Sequence, residues 1–186
     1  MDALTLLHSR NSAPRLTTPA PSAEVLERFF GAALRAPDHA RLRPWRFLTV
    51  TGDARHQLGD LFAKAALQRN PSASDAELDK CRQQPLRAPM LIIVIAPIQE
   101  HPKVPRDEQL LSAGCAAHGI LLAAHAEGFA GVWRTGVNAT DPVVKAGLGL
   151  AANEELVAYL YIGTIDGNYK PLPQLSTQDF VSDWKG

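Results

Sequence analysis

A chain of 186 residues, 46% hydrophobic and 20% charged, can bury a core and is not expected to be disordered. Lysine plus arginine equals aspartate plus glutamate at 19 each, so no broad basic face is offered to a nucleic-acid backbone. Only Cys81 and Cys115 are present, without paired spacing, which argues against a disulfide framework or a cysteine-rich zinc site.

The length suits a single domain over residues 1–186. Met1-Asp2-Ala3-Leu4 carries an acid and no basic stretch, so no signal peptide is expected and a cytoplasmic location is. Leu4, Leu6 and Leu7 behind Asp2 predict a short helix. It runs out at Arg10-Asn11-Ser12, where Asn and Ser favour turns, and Pro14 blocks continuation. A proline-rich connector over 17–22 leads to Ser22, a good N-cap. Val25, Leu26, Phe29, Phe30, Ala33 and Leu34 then form a stripe with helical period.

That helix delivers Arg35-Ala36-Pro37-Asp38-His39-Ala40-Arg41-Leu42-Arg43-Pro44. Pro37 cannot continue the helix, and Pro44 pushes Arg43 toward an extended conformation that launches the strand Trp45 to Thr51. Arg35, His39, Arg41 and Arg43 on one constrained loop read either as an anion cradle or as a solvated basic loop. Asp53 then caps a helix through Leu67 that breaks at Asn70-Pro71. A polar, exposed helix covers about 74–84. Met90 to Ala96 is an unbroken apolar run, the mark of a strand buried on both faces.

From Asp107 to Glu127 runs the longest predicted helix, without a formal charge between Glu108 and Glu127. Gln109, Ser112, His118 and His125 make it too polar for a lipid span. A helix apolar all round is buried all round, and in so short a chain that is easiest if a second subunit covers one side. Its many Ala and Gly residues permit close approach. Phe129 to Thr135 reads as a short strand with a turn at Gly136, and Asp141-Pro142 opens another helix. Leu156 to Ile162 is the last strand, closed by Gly163, and residues 166–186 read as an arm or tail. Helices and strands intermix around a buried sheet, so the class is α/β or α+β.

Gly147-Leu148-Gly149-Leu150-Ala151-Ala152 matches the letters of a dinucleotide fingerprint in the wrong context, with a helix before it and a strand after it. The glycines read as a helix C-cap. Cys115, His118 and His125 share a helical face, but buried positions in a tight helix interface explain them better than a metal site does. No metal is expected. Asp38 and His39, being adjacent, are poorly placed to face each other as an acid–base pair, and no nucleophile elbow exists.

Three segments remain: Arg10-x-Ser12, the Ala36-Pro37 to Pro44-Trp45-Arg46-Phe47 loop and strand, and Gly128-Phe129-x-Gly131 leading to Trp133-Arg134-Thr135. Their order resembles the nitroreductase family of flavoproteins, in its short, minimal members. The resemblance extends to Arg35-Ala36-Pro37-Asp38-His39, His101-Pro102-Lys103-Val104-Pro105-Arg106 and Ser112-Ala113-Gly114-Cys115. It implies an α+β fold, a central and mainly antiparallel sheet flanked by helices, and an intertwined homodimer with FMN at the subunit interface. By the same resemblance, Arg10, Asn11 and Ser12 of one subunit and Arg35 and His39 of the other contact the flavin, joined by Trp133, Arg134 and Thr135. Arg10, Ser12 and Arg134 would supply donors to the phosphate.

Two departures from the family stand out. A C-terminal basic cluster is reduced to Lys170, and Arg43 stands where Gln is common. The added cation at Arg43 suits either an acidic substrate or plain solvent. The implied activity is electron transfer from NADH or NADPH through FMN to a nitroaromatic, a quinone or a similar small acceptor, in ping-pong fashion. No side chain is needed as a catalytic acid or base. The alternatives are another flavin chemistry on the same fold (dehalogenation, dehydrogenation or flavin breakdown) or a flavin-binding protein without turnover.

Overall fold

Met90 to Ala96 carries apolar side chains at both parities, so a strand built from it needs cover on both faces. In the computed structural model, which describes residues 1–186, it forms β3 (Met90–Pro97), and Leu91 to Ala96 are wholly buried. Before it come α1 (Ala3–Ser9), β1 (Leu16–Thr17), α2 (Ala23–Ala33), β2 (Arg46–Thr51), α3 (Ala54–Arg69) and α4 (Asp75–Gln83). After it come α5 (Arg106–Ala126), β4 (Ala130–Arg134), α6 (Pro142–Gly147) and β5 (Glu154–Ile165). β3 lies between β2 and β5, and the far edge of β5 is shared by β4 and β1. All these pairings are antiparallel, which makes the class α+β.

The two parities of β3 feed two cores. Leu91, Ile93 and Ile95 pack with Leu58 and Phe62 of α3, Val144 of α6 and Tyr159 and Tyr161 of β5. Ile92 and Val94 pack with Phe29 and Ala33 of α2 and Ala116, Ala117, Ile120 and Ala124 of α5. Each fully buried Ile, Val or Phe contributes about 1.5–3 kcal/mol. Helix ends follow their caps: Asp2 accepts from Leu4 and Thr5 N–H, Ser22 from Val25 N–H, and Asp141 from Val143 and Val144 N–H. Ser74 and Glu77 form a capping box that starts α4.

Among the secondary-structure elements, the structure departs from the sequence expectation in four places. Asp53 makes no side-chain cap, because its own backbone is already helical after Gly52 turns the chain at φ +53°. Gly163 does not close the last strand; β5 runs through it to Ile165. A Cβ there would meet the Thr17 carbonyl at 2.8 Å, so the glycine admits β1 and Pro89 rather than a turn. The strand Leu16–Thr17 itself lay hidden in a proline-rich connector.

The fourth departure concerns α5, which is not buried all round within the chain. One side packs on the sheet and on α2, where a Cβ at Gly119 would stand 3.2 Å from the Ala32 carbonyl. The other side carries Leu111, 69% exposed, with Cys115 and His118 also open. α1 lies against α5 yet buries none of its residues; Leu4 and Leu7 are 65% and 53% exposed. Residues 166–186 are all exposed and form only one short turn, Thr177–Asp179. No helix is long and apolar enough to cross a membrane.

β2 is tied to the start of β5 by Arg46, whose Nε and Nη2 donate to the two carboxylate oxygens of Glu154 at 2.6 Å each. That hydrogen bond, above all, holds the Glu154 carboxyl below the ordinary glutamate range, against the opposing effect of burial. Glu154→Gln is expected to cost about 1–3 kcal/mol at pH 7, since it leaves a part-buried guanidinium without its counter-charge. The depressed pKa makes this contribution complete above the ordinary glutamate value of about 4.3, and it disappears as pH falls through the lower folded value. Urea denaturation should therefore separate wild type from variant at pH 7, with the gap closing as pH falls through the depressed folded value.

Candidate functional site

Where α1 stops, the chain crosses to the start of β4. Ala13 N–H donates to the Gly131 carbonyl at 3.1 Å, and Ser12 forms a parallel bridge with Gly131. Asn11 uses both ends of its amide locally: Oδ1 accepts from Ser12 N–H at 2.9 Å, and Nδ2 donates to the Lys170 carbonyl at 2.6 Å. The C-terminal arm is thereby drawn beside Arg10-Asn11-Ser12, with Lys170 at the contact. Ser9 Oγ lies 3.0 Å from His125 Nε2, and the Tyr169 ring meets His125 edge-on. Burial first, and the charge of Arg10 second, hold His118 and His125 below the ordinary histidine value. Both imidazoles are accordingly neutral at pH 7.

The open side of α5 is a groove of about 820 Å³. Leu111, Cys115 and His118 line its floor, Arg35 and Pro37 close one side, and Trp133 of β4 closes another. His39 stands at an adjoining depression, its Nδ1 2.8 Å from Glu108 Oε2. Asp38 is occupied elsewhere: its two oxygens accept from the N–H groups of Leu42 and Arg43 at 3.0 and 2.9 Å. This explains a backbone the sequence did not reveal. Ala40, Arg41 and Arg43 all take positive φ, at 59°, 55° and 49°, and Arg43 is left-handed rather than extended. Such conformations cost about 1–3 kcal/mol each and persist only where the surroundings enforce them. Here the Asp38 carboxylate and the flanking prolines do so.

Arg134 parts company with the other cations. Ser12 sits opposite Gly131, so Arg134 lies three residues along β4, about 10 Å at ~3.3 Å per residue, and Arg10 lies in the opposite direction. The faces differ as well. Trp133 points to the α5 groove, while the Arg134 guanidinium stands 5.9 Å from the Tyr161 ring centroid, beside the core that holds α3. Within one chain, Arg10 and Arg134 thus lie toward opposite ends of β4. Arg134 and Thr135 instead wall a second cavity of about 420 Å³, shared with Arg87, Gln84 and Tyr161. Sequence reasoning missed Arg87, which stands in a short connection with no periodic signal. The buried Nε of Arg134 has no hydrogen-bond partner.

None of the ten ion pairs in the chain uses Arg10, Arg35, Arg87, Arg134 or Lys170. Free guanidinium and ammonium groups, a hydroxyl at Ser12 and an apolar groove with an aromatic wall form a donor set suited to a phosphate-bearing aromatic cofactor. No cluster of three or more metal-ligating side chains is formed.

The whole chain is similar to proteins of one family. The nitroreductase family model matches residues 7–164. "Putative NAD(P)H nitroreductase YdjA" of Escherichia coli K12 is 42% identical over 164 residues, 88% of each chain. Among solved structures, a nitroreductase-like family protein from Bacillus cereus superposes with a TM-score of 0.85 at 21% identity, covering 100% of this chain and 97% of its own. A nitroreductase with bound FMN from Bacteroides fragilis superposes with a TM-score of 0.74 at 20% identity, over the whole of both chains. The chain belongs to the nitroreductase family.

Proposed function

We propose that the protein is a homodimeric FMN-dependent oxidoreductase that takes electrons from NADH or NADPH and passes them, in ping-pong order, to a nitroaromatic, quinone or similar small acceptor. The observation that carries this reading is the sequence of groups along β4: unpaired Arg10 with Ser12 at one end, and Trp133 at the rim of the apolar groove at the other. Family membership, the NAD(P)H in the name of the Escherichia coli relative and the FMN in the Bacteroides fragilis structure support it. Two unpaired cysteines fit a cytoplasmic setting.

When bound, FMN supplies the two-electron chemistry. The chain's residues bind and orient it. Arg10, Ser12 and Lys170 hold the phosphate, with Asn11 keeping Lys170 in reach. Trp133, Arg134 and Thr135 at the end of β4 bound the ring. Arg35 and His39 reach the flavin of the second copy. The apolar wall of α5 excludes water, which strengthens every charge interaction inside. No side chain is asked to act as an acid or base.

The homodimer accounts for the uncovered surface: Leu111, Leu4 and Leu7 are exposed on adjacent helices. Obligate interfaces of this kind bury about 2,000 Å² or more. Leu111→Glu should yield monomers by light scattering and lose flavin at the same time. A monomeric variant that retains full flavin would separate the two and refute a shared interface site.

Purified protein reconstituted with FMN should show a flavin spectrum at a stoichiometry near one per chain. A protein that neither carries flavin nor quenches added FMN in a fluorescence titration would refute the cofactor assignment.

Charge-assisted hydrogen bonds contribute about 1.5–3 kcal/mol each. Arg10→Ala should thus weaken FMN about 10- to 150-fold. Riboflavin, which lacks the phosphate, should bind variant and wild type alike. If riboflavin weakens in parallel, Arg10 holds the ring or the fold, not the phosphate.

A further inference from the structure

The 420 Å³ cavity behind β4 joins Arg134 and Thr135, assigned above to the flavin ring, with Arg87, a cation that the flavin reading does not use. Its lining includes Arg87, on the connection between α4 and β3, Arg134, Gln84, Phe62, Tyr161 and Trp133, whose ring lies on the α5 side near Gly114. No aspartate or glutamate lines it. The nearest acid is Asp141, whose charge is felt at Tyr159, but Asp141 already pairs with Arg69 and caps α6. The deeper polar groups are satisfied: Tyr159 Oη donates to the Asn138 carbonyl at 3.1 Å, and Asn138 Nδ2 donates to Gln84 Oε1 at 3.1 Å. What stays unsatisfied is cationic. Arg87 and Arg134 have no counter-ion, and the Arg134 Nε–H is buried without an acceptor.

Two planar guanidiniums against aromatic walls match a planar anion. Arginine forks pair with carboxylates two N–H groups at a time, and the Tyr161 face already stacks one fork. Burial pushes the Tyr161 phenol up, against the opposing pull of Arg87 and Arg134, so its O–H remains available as a donor at neutral pH. At about 420 Å³ the space lies at the small end of ligand sites, which run to about 1,000 Å³, and so suits a small acid rather than a dinucleotide. Trp133 lines both this cavity and the α5 groove.

We propose that the cavity is the carboxylate subsite for a small aromatic acid that serves as electron acceptor, with Arg87 and Arg134 gripping the carboxylate. Its part in turnover rests on the flavin reading; its part in binding does not. For a nitroaromatic acid the overall change is ArNO2 + NAD(P)H + H+ giving ArNO + NAD(P)+ + H2O. The nitro group accepts two electrons and loses one oxygen as water, and the carboxylate takes no part in the redox change. Arg87 is a specificity residue, touching the acceptor away from the atoms that react.

The test uses the full-length protein loaded with FMN, with 4-nitrobenzoate and nitrobenzene as probes. Calorimetry without NAD(P)H, so that nothing turns over, should show 4-nitrobenzoate binding at least tenfold tighter than nitrobenzene. Arg87→Gln should remove that preference, and Arg87→Lys should restore part of it, with thermal melting confirming that both variants fold. In turnover, the ratio of kcat/KM for 4-nitrobenzoate over nitrobenzene should fall at least tenfold in Arg87→Gln. Equal binding of the two probes by wild type, or a preference untouched by Arg87→Gln, overturns the subsite. So does an Arg87→Gln effect on NADPH relative to NADH in place of the acceptor, which would assign the cations to a nucleotide phosphate. Carboxylate-selective binding without reduction of either probe would support the subsite and count against the oxidoreductase reading instead.

Discussion

The structure depends on the two-sided burial of β3. A strand with Leu91, Ile93 and Ile95 on one face and Ile92 and Val94 on the other has no solvent side, so a helical layer must lie on each face of the sheet. α3 and α6 close one face, and α2 and α5 the other. A helix spent on covering a sheet buries one side only. The far side of α2, for example, is polar, with Arg28 paired to Glu24 and Glu127. α5 is the exception. Its far side has Leu111, Cys115 and His118 where charges would be expected, so covering β3 from this side leaves an apolar groove.

Much of this was legible in the sequence because it rests on period and punctuation. The β3 run, the capping residues Asp2, Ser22, Ser74 and Asp141, and the uncharged length of α5 each have a local physical cause that the sequence displays. The nonlocal features were not legible. Gly163 looked like a strand terminator because the approach of Thr17 and Pro89, which requires the missing Cβ, comes from residues distant in sequence. The backbone of the loop over 38–43 was hidden for a similar reason. Two prolines predicted the loop, but the positive φ of Ala40, Arg41 and Arg43 follows from where the Asp38 carboxylate points.

That loop also shows how strain and position are linked. Left-handed backbone at three non-glycine residues is unfavourable unless the ends are held, and here Pro44 is buried while Asp38 clamps two N–H groups. Arg35 borders the α5 groove and His39, paired with Glu108, the depression beside it. In the proposed dimer these two residues serve the site of the second copy, so the conformation of one loop affects a cofactor held mainly by another chain. Rigidity there has a use that a solvated basic loop would lack.

The candidate site divides along β4 by parity and by distance. Successive strand residues face opposite sides of a sheet. Trp133 therefore reaches the α5 groove, while Arg134, next in sequence, reaches the cavity backed by Phe62 and Tyr161. Residues drawn together by sequence proximity, Trp133-Arg134-Thr135, are thus drawn apart by the pleat. Arg10, far away in sequence, is brought to the start of the same strand through the Ser12–Gly131 bridge. One short strand consequently separates two unpaired cationic centres, one proposed to take a phosphate and the other a carboxylate. Trp133 stands between the groove and the cavity and lines both. A substitution at Trp133 would disturb both spaces, whereas one at Arg10 or Arg87 reaches only its own.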